Sequence, residues 1–258
     1  MKIRVFLLLF IISCELFGAS EIETKVEVGV FLPKLSGSIE NFYGSSDFTK
    51  DYVYNDATAS YFALDVKPDY DYVPNITANY FYMKENSNTT LEKSVVVADG
   101  TFNSKVGTVA DFSVLNTVFY AEFKKKGKAL SFLRWKPYTG DFAFDVGLNA
   151  KYLMWNFEIT DQTDSTKSPS WIHVREFIPL PYLGFKYYLY SLTLYSDVSA
   201  LSVLKAKAFN YQLGASYNVI SGLSLSGGYV HEEFKAVEKK DTVRFKAAGY
   251  KFSFMYVF

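Results

Sequence analysis

The sequence predicts an all-β fold, an antiparallel transmembrane β-barrel of about ten strands, with eight or twelve as the alternative counts. Three observations carry this. Large apolar residues recur at every second position along most of the chain, the period of a strand with two unlike faces. Aromatic residues make up 19% of the 258 residues, with 24 Phe and 21 Tyr, the types that form girdles where a barrel meets the membrane interface. The alternating segments are also long, reaching over residues 142–158 and 243–258, whereas strands of soluble proteins average about five or six residues.

The chain opens with "MKIRVFLLLFIISCELFGAS". Lys2 and Arg4 form a basic start, Val5 to Ile12 an apolar run too short to span a bilayer, and Gly18, Ala19 and Ser20 a small-residue cleavage region. Residues 1–19 therefore read as a secretory signal peptide and residues 20–258 as one barrel domain. Removing the signal takes away Lys2, Arg4 and Glu15 from 27 basic and 27 acidic residues, leaving 25 against 26, a net charge of −1. Such a balance supplies no field to recruit nucleic acid. The single cysteine, Cys14, lies in the signal. "IISC" at 11–14 also resembles a lipobox, the alternative in which a lipidated Cys14 begins the mature chain. With the ordinary cut no thiolate, disulfide or cysteine nucleophile remains, and no metal site or cofactor is expected.

Ten spans follow, near residues 25–35, 59–67, 75–84, 114–123, 142–158, 174–188, 192–204, 207–219, 223–236 and 243–258. In "FAFDVGLNAKY" the face of Phe142, Phe144, Val146 and Leu148 is greasy, and that of Asp145, Gly147, Asn149 and Lys151 is polar or small. A soluble sandwich or lipocalin-like barrel would turn the greasy face inward. A transmembrane barrel turns it to lipid and keeps the polar face for its interior. The length of the spans, the aromatics on the greasy face and the Gly, Ser and Asn opposite them favour the membrane. Parity agrees. With both chain ends on the periplasmic side, the odd connections, including 36–58, 85–113 and 159–173, face outward and are long, while "PDYDYVP", "LYS" and "ISG" are short inner turns. Residues 124–141 are long for an inner turn, and 205–206 short for an outer loop. Residues 85–113 have strand character around Asp99-Gly100, which suggests a hairpin.

The alternation points ten ionisable residues inward: Glu27, Asp65, Lys67, Glu122, Asp145, Lys151, Lys186, Asp197, Glu232 and Lys251. They would either line a polar lumen that passes or binds small solutes, or pair with one another inside a plugged barrel. Ten strands stand nearer the side-chain-filled eight-stranded barrels than the open porins, which favours the plug. Asp145 and Lys151 lie too far apart on one strand to pair, and Lys186 and Glu122 are their expected partners. His173 and His231, the only histidines, fall near outer strand ends. With "HEE" at 231–233 they raise the alternative of a hydrolase acting on lipid or peptide, but no Ser/His/Asp order, HExxH or metal spacing supports it. "EFKKKGK" at 122–128 reads as a solvated turn.

The chain ends on Tyr250, Phe252, Phe254, Tyr256 and Phe258 at alternate positions. This resembles the C-terminal signal that outer-membrane barrels present to their assembly machinery. The stretches "VEVGVFLPKLSGSIE" at 26–40, "YFALDVKPDYDYVPNITANYFYMK" at 61–84, "FAFDVGLNAKYL" at 142–153 and "PLPYLGFKYYL" at 179–189, with the last two strands, resemble a family of small Gram-negative outer-membrane β-barrel proteins known mostly from genome surveys. That family often carries a Gly-Gly box after the first strand, where this chain has Ser36-Gly37-Ser38. The resemblance implies a barrel in the bacterial outer membrane, with outer-membrane lipid, lipopolysaccharide and the barrel-assembly machinery as partners. It implies no reaction and no site residues. The function expected is therefore non-enzymatic: a structural barrel or a narrow conduit for small polar solutes. A hydrolase, or an adhesin using the loops 36–58 and 85–113, is the alternative.

Overall fold

In the computed structural model, residues 22–54, 56–68, 73–125, 140–203, 206–238 and 240–258 are described. The proposed signal peptide with Cys14, most of the basic inner segment 124–141, and Lys205 of the 205–206 link lie outside them. The strands are β1 (Ile22–Asn41), β2 (Gly44–Asp47), β3 (Ala59–Pro68), β4 (Asn75–Thr90), β5 (Val95–Val97), β6 (Gly100–Phe102), β7 (Lys105–Lys125), β8 (Asp141–Asp161), β9 (Ser170–Leu189), β10 (Leu192–Val203), β11 (Ala206–Ile220), β12 (Leu223–Glu238) and β13 (Asp241–Val257). Ten of them, all but β2, β5 and β6, pair antiparallel with their neighbours in chain order, and β13 closes on β1 from Lys25↔Val257 to Glu40↔Thr242. Closure leaves no unpaired edge, the condition for placing strands in lipid. Each of the ten spans read from the sequence is one of these strands, and β5–β6 is the hairpin expected near Asp99-Gly100.

The strands are longer than expected chiefly at the outer end. β7 begins at Lys105 rather than near 114, β4 runs to Thr90, and β1 continues to Asn41 with β2 folded back on it. Residues 85–113 are thus mostly strand and 36–58 partly so, a correction to their reading as loops. The "Ser36-Gly37-Ser38" stretch is within β1. Gly37 has φ +143°, and a Cβ there would come within 2.1 Å of the Arg244 carbonyl oxygen, so glycine is required by the close approach of β13.

The extra length has a physical cause: the barrel has two storeys of opposite polarity. In the inner storey, nearest the chain ends, outward residues are apolar and exposed. They include Val28, Val30 and Leu32 on β1, Phe144, Val146 and Leu148 on β8, Leu183 and Phe185 on β9, and Tyr250, Phe252, Phe254, Tyr256 and Phe258 at the C-terminus. Inward residues there are mostly polar. About 11 residues of strand cross a bilayer's hydrocarbon, and beyond that height the two faces exchange character. Lys84, Asp111, Asn156 and His173 sit side by side in register on the outside, while Leu153, Trp155, Phe157 and Ile159 continue the inward face of β8 that begins with Asp145 and Lys151. The outer storey is built like a soluble barrel, greasy within and polar without, because water surrounds it.

Its core is supplied from both strands and loops. Rings run in contact across the lumen from Phe31 to Phe81 (5.6 Å between centroids), Phe112 (5.6 Å), Phe245 (4.2 Å), Phe48 (6.2 Å) and Trp155 (5.6 Å). Phe48 comes from the β2–β3 connection, whose Tyr52 and Tyr54 also point inward, their hydroxyls bonded to Ser46 Oγ (2.9 Å) and Thr108 Oγ1 (2.7 Å). Driving both tyrosines inward forces Val53 between them to φ +59°, a left-handed conformation that costs a β-branched residue about 1–3 kcal/mol. Leu91, Val95, Val97 and Phe102 complete the core from the second outer connection. Asn41 Nδ2 ties the two connections to β13, donating to the Val96 carbonyl and to Asp241 Oδ1, both at 2.9 Å. At the rim, the hydroxyl (2.7 Å) and N–H (2.9 Å) of Thr163 and the Ser104 hydroxyl (3.0 Å) hold the Asp161 carboxyl well below the usual range and fix the 162–169 loop.

Candidate functional site

Below this core the inner storey encloses a polar vestibule of about 340 Å³. Phe31, Phe81 and Val230 form its roof, and it extends to the inner rim at Lys25, Tyr188, Tyr190 and Val257. The site is made by strand alternation: most inward positions in the inner half of the strands carry Gly, Ser, Thr, Asn, Tyr or a charge, interrupted by Ala63, Val118 and a small apolar cluster of Ile178, Leu180 and Ala208.

The ten ionisable residues read from the sequence all stand on this inward face, and most are joined in networks. Lys251, whose side chain is 1% exposed, pairs with Glu27 at 2.9 Å and lies 4.3 Å from the centre of the Tyr61 ring. Glu27 also accepts from the Ser253 hydroxyl. Lys67 and Lys186 share Glu122 at 2.9 and 3.3 Å, and Lys186 reaches Asp145 Oδ2 at 2.8 Å. Asp65 accepts from Thr77 Oγ1 at 2.7 Å and Tyr120 OH at 3.1 Å. Lys151, 1% exposed, pairs with Glu232, 6% exposed. These bonds give nine of the ten charges a partner, the condition for leaving water; Asp197 is in none of them. The expected pairing of Lys151 with Glu122 does not occur. Register places Glu122 opposite Asp145, six residues down β8 from Lys151, and Lys151 instead crosses the lumen to β12.

Several residues that sequence reasoning did not single out belong to the same wall. Asn149 Nδ2 donates to Asn116 Oδ1 (3.3 Å), and Asn116 Nδ2 to Asn79 Oδ1 (2.9 Å), a relay of amides across β8, β7 and β4. Asn149 also reaches Ser199 Oγ at 3.4 Å. Tyr61, Tyr182 and Tyr195 supply aromatic faces. The signal was present in the alternation, since each asparagine shares the phase of an inward charge on its own strand or the next.

The histidines are not brought together. They stand on β9 and β12, with β10 and β11 between. His173 points outward above the lipid belt, its Nδ1 2.9 Å from Asn156 Oδ1 and its ring stacked on Trp171. His231 is covered on the outer face by Phe209 and Tyr211. A second hollow, of about 330 Å³, lies at the outer rim between Ala98-Asp99, Trp171 to His173 and Lys240-Asp241. Tyr250, Phe252, Phe254, Tyr256 and Phe258 all face outward and are 46–62% exposed.

No protein-family model matches the sequence, and a search of curated proteins finds no match. Among solved structures, the chain is similar to the outer membrane protease OmpT from Escherichia coli, with 10% identity over 93% of this chain and 98% of that one and a TM-score of 0.49. It is similar to the translocator domain of the autotransporter NalP from Neisseria meningitidis, with 11% identity over 100% and 95% and a TM-score of 0.40. It is also similar to Neisserial surface protein A, with 10% identity over 93% and 99% and a TM-score of 0.35.

Proposed function

We propose that this protein is a sealed, non-enzymatic barrel of the bacterial outer membrane, whose role is structural: it anchors a rigid outer storey above the lipid. The exposed apolar belt of the inner storey and the alternating aromatic C-terminus support the location, with lipid and lipopolysaccharide around the belt. One observation carries the sealed reading. The outer half of the lumen is filled by a continuous aromatic core in which Tyr52 and Phe157 are 0% exposed and Phe31 and Trp155 1%. A hydrated path requires polar groups or empty volume along its whole length, and among the described residues this aromatic core interrupts it, with the Tyr52 and Tyr54 hydroxyls already bonded to Ser46 and Thr108. The conduit reading therefore gives way to the structural one. The non-enzymatic reading draws on the histidines, which stand on separated strands and face the barrel exterior.

The test is conductance of the refolded full chain in planar bilayers. The wild type is expected to insert without discrete conductance steps. Removing residues 44–54, which carry Phe48, Tyr52 and Tyr54, should produce them. Steady single-channel conductance in the wild type would overturn the proposal.

A further inference from the structure

We propose that the inner vestibule is a binding site for a small organic cation, one carrying ammonium or guanidinium groups. The inference goes beyond the sealed-barrel reading and does not depend on it. Among the residues lining the vestibule, carboxylates outnumber ammonium groups five to three. Every lining ammonium group is already engaged: Lys251 by Glu27, Lys186 by Asp145 and Glu122, and Lys25 by Glu23 at 2.9 Å. The carboxylates are engaged too, with one exception. Asp197 lines the cavity and has no hydrogen bond or ion pair among the described residues.

A second, independent observation points to a ligand at the same place. Asn149 and Asn210 also line the cavity, are 1% and 8% exposed, and each has a buried Oδ1 without a donor. Buried acceptors left unsatisfied are destabilising, and protein interiors rarely tolerate two on one wall. They belong to one patch with Asp197. Asn210 pairs in register with Ser199, two residues along β10 from Asp197 on the same face, and Asn149 contacts Ser199 directly. The relay through Asn116 to Asn79 uses the Asn149 amide nitrogen and so turns its oxygen away.

Gly184 lies between Asp145 and Asp197 in the lateral row across β8, β9 and β10, so no side chain rises from β9 between the two carboxylates; the Tyr182 hydroxyl folds over the glycine, 2.8 Å from where a Cβ would stand. The buried side-chain atoms of the patch left without a hydrogen-bond partner are acceptors: Asn149 Oδ1, Asn210 Oδ1 and Asp145 Oδ1, beside the Asp197 carboxylate. Their complement is a compact group with several N–H donors and a positive charge. Tyr182 and Tyr195 lend π faces for the rest of the molecule. A volume of about 340 Å³ is roughly ten times a water molecule's share of liquid volume, sufficient for a short diamine.

Calorimetric titration of the refolded full chain in detergent micelles tests the site, using 1,4-diaminobutane, with sorbitol as neutral polyol and succinate as anion. The expected result is saturable binding of the diamine alone, weakened about tenfold or more in Asp197→Asn, as removal of a charge-assisted hydrogen bond predicts. Asn210→Asp, which adds a carboxylate to the patch, should tighten it. Absence of saturable diamine binding in the wild type, equal binding of sorbitol or succinate, or unchanged affinity in Asp197→Asn would overturn the proposal. If Asp197→Asn does not refold, the wild-type and Asn210→Asp titrations decide, and failure of Asn210→Asp to tighten binding overturns it. Conductance and diamine binding are separate readouts, so failure of the sealed reading leaves this test intact.

Discussion

Glu232→Ala is expected to destabilise the folded barrel by about 3–5 kcal/mol, the usual cost of leaving one member of a buried ion pair alone. The Lys151 side chain that would be stranded is 1% exposed. It lies directly beneath Leu153 on β8, and Glu232 lies beneath Phe234 on β12. The pair thus occupies the boundary between the polar vestibule and the aromatic core, where the Lys151 ammonium has the core on its outer side. The attraction between two such charges need not exceed the cost of desolvating both. Replacing the pair together, as Lys151→Met with Glu232→Leu, should therefore recover most of the loss. Urea unfolding in detergent micelles reads both effects. A single substitution that leaves stability within about 0.5 kcal/mol of wild type, the range of ordinary surface changes, would mean that water reaches the pair and the boundary is not dry.

Trp155→Ala should cost about 3–5 kcal/mol, the range for removing a large aromatic from a packed interior. Its indole stacks against Phe157 at 5.5 Å and touches Phe48 at 5.6 Å. It therefore joins the β8 wall to the ring that the β2–β3 connection delivers. Trp155→Phe should cost far less. The indole Nε1 is buried without an acceptor, and deleting an unsatisfied donor returns about 1–3 kcal/mol against the packing lost. Equal losses in the two variants would contradict this reading of the site. A neutral Trp155→Ala would mean that the outer lumen is not a packed core.

The strands were legible because two-residue periodicity survives whichever face meets lipid. The inward charges were legible for the same reason, since parity on each strand assigns them. Height was not. Parity does not say where along β8 the inward face changes from Asp145, Asn149 and Lys151 to Leu153, Trp155, Phe157 and Ile159. The reversal is present in "KYLMWNFEIT", yet an apolar residue in that phase could equally end the span. The outer ends of β4 and β7 were hidden likewise. Their exteriors turn polar at Asn86, Asn88 and Asp111, so they lose the greasy exterior that marks a membrane strand. Phe48, Tyr52 and Tyr54 enter the lumen from a connection with no period, and only the folded chain shows where they go. Across-lumen pairs are the least legible. Lys151 and Glu232 belong to strands that are not neighbours in the sheet, and no rule of register relates them. Asp145 and Lys186, on adjacent strands, were within reach of sequence reasoning.

The two-storey barrel is tested most directly by spin labels placed singly on the outward face of β8, at Phe144, Leu148, Asn156, Glu158 and Thr160, in protein refolded into lipid vesicles. Oxygen partitions into lipid and a nickel chelate into water, so the ratio of their effects on each label reports its surroundings. Lipid-type ratios are expected at 144 and 148 and water-type ratios at 156, 158 and 160, all on one face of one strand. Lipid-type ratios continuing to 160 would place the whole strand in the membrane and contradict the reversal of polarity on which the sealed outer storey rests.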